Sequence, residues 1–357
     1  MSSSRPAMAR PHDPSRLDWA TLRSWTSRLL VAAGLEVAPA EVTVDNLEYA
    51  ERRGFVSHGF LRLPTYVERL RAGGINGRPN LGIVNDRTAL AVVDADASIG
   101  AHSAVICTDL AIEKASMSGV GVVIARNANH FGAAGYYTDR MASSGFLGIA
   151  VCNTDAVMCA PFGGRAVLGT NPISIGVPEF GSVGPHLDMA TSQAAHGKLI
   201  AARDRGDEIP DGWAVDPIGN PTNDPALGLA GALLPSGGPK GFALAFMVDC
   251  LVAIGGARTS NDVSALYGDP AAPQELGHAF IAISVDSAQT AAEYASRVDA
   301  LSAAVHESVT PGSSSPPMVP GEPEKQQLAR PSDLVVSEPT RRALEELSVE
   351  LGVPIPD

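Results

Sequence analysis

Residues 120–138 read VGVVIARNANHFGAAGYYT, and what kind of fold can follow depends on this stretch. Val120 to Arg126 has the apolar, β-branched make-up of a strand. Asn127 to Asn129 break the run, and the small residues Gly132 to Gly135 open a helical spacing through Tyr137 and Met141. A Rossmann unit would put GxGxxG at such a junction, and a P-loop would put GxxxxGK[ST] there. Neither motif follows any predicted strand. Small residues at a helix start still let backbone N–H groups approach an anion, which the helix dipole favours. The junction therefore suits either a structural turn or a phosphate site of a non-Rossmann kind.

Outward from it, the period is that of an α/β protein. TALAVVDAD (88–96), FLGIAVCN (146–153), ISIGVP (173–178) and HAFIAISVD (278–286) read as further strands, with helices at about 101–118, 132–144 and 240–255. Residues 1–16 read as a flexible tail. Leu17, Leu22, Trp25, Leu29 and Leu30 keep helical spacing up to Gly34, and Val42, Val44, Leu47 and Ala50 line a second helix over about 40–53. SHGFLRLPTYVERLRAGG then predicts a helix closed by Gly73-Gly74. PGSSSPPMVPGEPEK (311–325) is a Pro/Ser-rich connection, followed by a short final strand and a helix at about 340–351. The expected organisation is a tail (1–16), a helical substrate and dimer region (17–80), a nucleotide-binding region (81–290) and a C-terminal helical region (291–357) packed on the N-terminal one.

Composition narrows the function. The 357 residues are 45% hydrophobic, enough for a large core, and the net charge is −13. Such a balance opposes nucleic acid and anionic membranes. An acidic protein that binds an anion must concentrate positive charge locally, so the few cations near the motifs matter. Cys107, Cys152, Cys159 and Cys250 form no CxxC pair and no zinc spacing, so buried free thiols are expected and no metal is. The basic start lacks the apolar core of a secretory signal. The run from Gly241 to Ala257, broken by Asp249, reads as a buried helix rather than a membrane span. A cytoplasmic protein is expected.

Three clusters carry chemistry. In Ser57-His58-Gly59-Phe60-Leu61-Arg62 an imidazole and a guanidinium lie close together, on one helix face if the segment is helical or within a turn if Pro64 starts the helix. Arg can fix a carboxylate bidentately, and His can pass a proton at a pKa near working pH. Unused, the pair is surface decoration. A hydrolase triad of Ser57, His58 and Asp188 is disfavoured, because adjacent side chains diverge and no GxSxG elbow exists. In His186-Leu187-Asp188-Met189-Ala190-Thr191-Ser192, followed by Lys198, the acid needs a partner if buried: a helix end, an ion pair or a catalytic His. The turn-rich segment 209–222 suggests a ligand loop. Gly237-Gly238-Pro239-Lys240-Gly241 puts a Lys beside a helix start, another possible anion site.

Taken together, RGFVSHGFLRLPTYVERLRAGGIN, NANHFGAAGYYT, GTNPISIGVP, LDMATS…GK, IPDGWAVDPIGNPTNDP and LPSGGPKGFALAFMVD resemble, in that order, the non-Rossmann malate/L-lactate dehydrogenase family. The resemblance spans about residues 17–350. It implies a dinucleotide fold of the family's own, an intertwined homodimer, and hydride transfer between NAD or NADP and a small anionic 2-keto acid, its 2-hydroxy acid or a cyclic imino acid. A catalytically silent, ligand-binding relative is the alternative. By position, His58 matches the proton donor, with Ser57 and Asp188 as relay partners; His130 is the competing acid–base group. Arg62, Thr170 and Asn171 match substrate contacts. His130, Phe131, Gly132, Ala133, Ala134, Met189, Ala190, Thr191, Gly212, Trp213, Ala214, Lys240, Pro320, Gly321 and Glu322 match cofactor-lining positions. Gln193-Ala194-Ala195-His196 departs from the family pattern.

Overall fold

The computed structural model describes residues 17–178, 184–310, 312–313, 315–329 and 336–356. The chain opens with α1 (Trp19–Ala32) and α2 (Val37–Arg52), then two 3-10 turns (Val56–His58 and Phe60–Arg62) and α3 (Leu63–Ala72). Next come β1 (Gly82–Asp86), β2 (Leu90–Asp94), α4 (Gly100–Ser118), β3 (Val120–Ala128), α5 (Gly135–Ser143) and β4 (Phe146–Cys152). Four short strands follow: β5 (Met158–Cys159), β6 (Ala166–Leu168), β7 (Ile173–Gly176) and β8 (His186–Met189). The second half runs through α6 (His196–Arg205), β9 (Ala214–Val215), β10 (Pro221–Thr222), α7 (Pro225–Ala230), β11 (Ala232–Leu233) and α8 (Pro239–Ala253). It closes with β12 (Leu276–Ser284), α9 (Ala291–Glu307), α10 (Glu322–Leu328) and α11 (Glu338–Leu351). The expected N-terminal tail and final short strand fall outside the described residues.

The large sheet has the order β1-β2-β3-β12-β4-β7-β8. Only β2 and β3 pair in parallel; β12, from late in the chain, inserts antiparallel between β3 and β4. A Rossmann sheet is parallel throughout its nucleotide-binding halves, so the mixed order bears out the non-Rossmann expectation. Alternation along β3 explains its two-sided burial. Val123 and Ala125 pack with Phe131, Tyr137 and Met141 under α4 and α5, while Ile124 meets Val248 and Val252 of α8 on the other face. A small sheet of order β10-β9-β11-β5-β6 shares a core with α6, including Leu199, Ile209 and Leu233.

The helical N-terminal part has its own core around Leu22, Trp25, Leu29, Phe60 and Leu63, and α11 contributes Leu344 and Leu347 to it. Trp25 Nε1 donates to Ser348 Oγ at 2.7 Å across 323 residues of chain. Two expectations are corrected. Helix α8 is not buried: Leu244, Phe246 and Met247 are 44%, 48% and 61% exposed, because only one face meets the sheet. Cys250 is on that open side, so three of the four thiols are buried rather than all four.

Candidate active site

A cavity of about 430 Å³ opens where four segments converge: the turns of 55–62, the loop of 130–134, the end of β8 with residues 189–190, and residues 192–198 leading into α6. Its size falls in the range of small-ligand sites, about 300–1,000 Å³. Thr154, Asp155 and Thr170 line it too, as do Tyr267 and Gln274.

Pro64 stands in the first turn of α3, so the helix cannot extend back through Arg62 as a regular one, and 56–62 folds as two tight turns instead. The turn reading of this segment is the correct one. It also brings Ser57 Oγ to 3.1 Å from His58 Nδ1. The expectation that these neighbours could not hydrogen-bond is therefore wrong; it assumed strand or α-helix directions, and a 3-10 turn has neither. Arg62 is 7% exposed, donates from Nε to Ser57 O at 2.6 Å, and leaves Nη1 without a partner. Its guanidinium lies 5.3 Å from the Tyr267 ring centroid, and among the described residues no carboxylate forms an ion pair with it. A buried, unpaired guanidinium facing a cavity is costly unless an anion completes it.

His130 meets this group from the other side. Its ring stacks on His58 with centroids 5.7 Å apart, and its Nδ1 lies 2.7 Å from Tyr66 Oη. Gly132 N–H also donates to that Nδ1 at 3.3 Å, so the neutral ring carries its proton on Nε2. Both imidazoles are held neutral. Loss of water around His58, which lines the cavity, then the Arg62 charge, push it down to about 3. Burial, then Arg62 and His58, hold His130 well below its ordinary value. A His poised near working pH is thus not what the free protein contains: His58 stands ready as a base.

The strand-to-helix junction does not hold a phosphate with its backbone. His130 N–H donates to Gln274 Oε1 and Ala133 N–H to Asn46 Oδ1, while Gly135 N–H donates to Asp188 Oδ2 at 2.8 Å. The anion at the α5 N-terminus is Asp188 itself, from β8, so the helix-end alternative for this residue is realised. Asp188 makes no hydrogen bond with His58 among the described residues. Burial pushes its carboxyl up to about 7, against the Gly135 N–H. Gly132 has φ +78°, and a Cβ there would meet Asn46 Oδ1 at 1.9 Å. Gly132 is required by packing, and Gly132→Val would disrupt the loop rather than report on a cofactor.

The remaining expected residues divide. Phe131 to Ala134, Met189, Ala190, Thr170 and Lys198 line the cavity. Thr191 is buried behind it, donating to Thr170 O. Asn171 is fully buried and spent on Ala245 O, Asp249 and the Thr154 N–H, so it is a structural tie and not a substrate contact. Gly212, Trp213, Ala214 and Lys240 are outside the cavity, although Trp213 reaches Lys198 at 5.7 Å. Pro320 O accepts from His186 N–H, Gly321 packs on His186, and Glu322 bonds His306; none of the three touches the cavity. Sequence reasoning missed Tyr66, Asp155, Tyr267 and Gln274. Tyr66 is four residues after Arg62, and Asp155 follows the end of β4, positions where a closer reading would look for contacts.

These features define a site for acid–base chemistry on a small anion beside a wall of small apolar residues. The sequence matches the malate/L-lactate dehydrogenase family over residues 17–338. It is 39% identical over 326 residues to the L-sulfolactate dehydrogenase of Methanocaldococcus jannaschii, covering 91% of this chain and 94% of that one. The solved structure of the sulfolactate dehydrogenase from that organism superposes with a TM-score of 0.88 at 36% identity, over 95% and 98% of the two chains. Ureidoglycolate dehydrogenase (NAD(+)) of Escherichia coli K12 is 38% identical over 74% of this chain and 75% of its own length. The (2R)-3-sulfolactate dehydrogenase (NADP(+)) of Chromohalobacter salexigens is 34% identical over 76% and 81%. The chain belongs to the malate/L-lactate dehydrogenase family. It is an NAD(P)-dependent dehydrogenase.

Proposed function

We propose that this cavity exchanges a hydride between NAD(P)H and C2 of a small 2-keto acid, forming the 2-hydroxy acid, with the roles divided among its own side chains. The observation that carries this reading is Arg62, whose Nη1 is buried and unpaired beside two neutral imidazoles. Arg62 takes the substrate carboxylate by charge-assisted hydrogen bonds. In oxidation His58 takes the hydroxyl proton at Nε2, since Ser57 occupies its Nδ1; in reduction it returns to the oxygen a proton taken up from solvent on substrate binding. His130, tied by Tyr66 and the Gly132 N–H, supplies a fixed Nε2–H donor to the same oxygen. Gly132, Ala133, Ala134 and Ala190, with the larger Phe131 and Met189, fit the cofactor as an apolar wall that would hold the nicotinamide ring. The bound cofactor supplies the hydride. With Ser57, His58, Arg62 and His130 gathered at one cavity, nothing favours a silent ligand-binding relative.

The working form is a homodimer in this reading, because the exposed Leu244, Phe246 and Met247 on α8, with Ile254 just past its end, form an apolar face that a second copy would cover. Free thiols and dependence on a nicotinamide cofactor suit the cytoplasm. Among the described residues no helix is long and apolar enough to cross a membrane. Nicotinamide absorbance against a panel of 2-keto acids and cyclic imines tests the reaction. Turnover with a 2-keto acid is expected; turnover with the imines alone, or with nothing, overturns it.

A further inference from the structure

Between α8 and β12 the chain runs through residues 254–275 without a helix or strand. Loops longer than about 12–15 residues are uncommon in compact domains and are usually functional when ordered. The middle of this one, residues 266–272, lies as a strap against the end of α3, where a Cβ on Gly74 would stand 2.2 Å from Pro270 O. Leu266 and Tyr267 of the strap line the cavity, and so does Gln274 just beyond it. Gln274 ties that end down: it accepts from His130 N–H at 2.9 Å and donates its own N–H to Asn129 Oδ1 at 3.2 Å. The inner carbonyls of the strap are held by one side chain, Arg69 of α3, which is 1% exposed. Its Nη1 lies 3.3 Å from both Leu266 O and Asp269 O, and its Nη2 donates to Ala272 O. Leu266 O and Ala272 O accept from nothing else among the described residues.

We infer that Arg69 is a positioning residue for substrate binding: by anchoring the strap it sets the Tyr267 ring against the Arg62 guanidinium and so fixes the edge of Arg62 that takes the substrate carboxylate. This rests on the reading of Arg62 as the carboxylate-binding group. Tyr267 is 53% exposed and belongs to a loop without regular structure, so its own packing does little to hold it. What sets its ring 5.3 Å from the Arg62 guanidinium is the backbone on either side, pinned at Leu266 and Asp269 by Arg69. A planar guanidinium spans carbonyls spread along a loop in a way that the compact ammonium of a lysine does not. Burying that charge with no carboxylate beside it is costly, which an anchor placed at the surface would have avoided. Arg69 stands one turn after Tyr66, which holds His130, and Tyr66 follows Arg62 by four residues. One segment of chain thus carries the anion-binding group, the tie to His130 and the anchor of the strap.

The test is a double-mutant cycle on Arg69 and Tyr267, read by calorimetric binding of oxamate with the reduced cofactor bound and by steady-state kinetics with a 2-keto acid. Oxamate carries the C1 carboxylate and C2 carbonyl of such an acid and needs no turnover to report. Arg69→Ala should weaken oxamate about 5–30-fold, the size of one cation–π contact, and raise KM of the keto acid by the same factor. kcat and the affinity for cofactor should change little. Tyr267→Ala should weaken oxamate to a similar extent, and the double variant should be no weaker than either single one, because both changes remove the same contact. Thermal melting checks that each variant folds; should Arg69→Ala not, Arg69→Lys carries the same expectation at a smaller factor. Additive losses in the double variant, or equal losses of oxamate and cofactor, overturn the positioning role. Unchanged oxamate affinity in Arg69→Ala overturns it too and leaves the reaction standing. Oxamate binding with these effects but no turnover of any keto acid removes the hydride-transfer reading alone. An unaltered chain that binds no oxamate removes both.

Discussion

The His58 and His130 rings are stacked 5.7 Å apart and 24° from parallel, and each has its Nδ1 committed to a different hydroxyl, Ser57 for one and Tyr66 for the other. Two imidazoles this close beside Arg62 oppose each other's protonation, and both rings are held neutral in the free protein. The arrangement raises the question of which ring moves the substrate proton.

Proton transfer by a placed side chain contributes about 10²–10⁴-fold in rate, and a charge-assisted contact is worth about 1.5–3 kcal/mol. His58→Asn should therefore lower kcat steeply with little change in KM. Arg62→Ala should chiefly raise KM for the keto acid, by about 10–100-fold. His130→Asn and Tyr66→Phe should lower kcat less than His58→Asn does. Steady-state kinetics on the four variants decide the matter: near-normal kcat in His58→Asn with a collapsed kcat in His130→Asn would exchange the two roles.

Asp188 titrates near neutrality in the free protein, its carboxyl raised to about 7 by burial, whereas His58 does not. In hydroxy-acid oxidation the imidazole gains positive charge, and an ionised carboxylate in the cavity wall offsets it. kcat for oxidation should consequently rise as pH climbs through about 7, and Asp188→Asn should flatten that limb. A limb that survives in Asp188→Asn but vanishes in His58→Asn would assign the titration to the imidazole.

His278, near the start of β12, is fully buried; among the described residues neither ring nitrogen makes a hydrogen bond of ordinary geometry, though the Asn129 backbone is close by, and it packs 4.6 Å from the Phe131 centroid. Burial pushes it down to about 3. A depressed folded pKa means that the unfolded chain takes up the proton first as pH falls. Stability is thus lost between about 6.5 and about 3, at up to about 1.4 kcal/mol per pH unit for one proton. Denaturant unfolding across that window should show a shallower pH slope in His278→Phe than in the unaltered protein. Equal slopes would mean that the ring titrates normally when folded.

Charging the open face of α8 should split the assembly. Met247 is 61% exposed there, and a Glu in its place leaves the packed side of Val248 and Val252 untouched. Light scattering at micromolar concentration is expected to report a dimer for the unaltered chain and a monomer for Met247→Glu. A monomer in both cases would leave that apolar face without its proposed cover.

Periodicity alone located the long strands and helices. β3 was expected at 120–126 and runs from Val120 to Ala128; β4 was expected at 146–153 and runs from Phe146 to Cys152. These segments bury whole faces, so their apolar spacing is written in the residues themselves. The missing GxGxxG, together with six ordered motifs, points to a non-Rossmann dehydrogenase family from the sequence itself. The two-residue strands of the small sheet and the exposed β1 carried too little pattern to be seen. Tertiary structure alone decided how the motifs were used. The small residues at 132–135 suggested an anion site at a helix start, and the anion turned out to be Asp188, 53 residues away in sequence. Asn171 matched a substrate contact through the family resemblance, yet its side chain is spent on Asp249 and Ala245 O from α8. Tyr66, Asp155 and His196 gained their places only when the helical segment, the sheet and α6 closed on one cavity. Local sequence specifies which face of an element is apolar; which polar group meets which is fixed by contacts between segments far apart in the chain, and no local pattern records them.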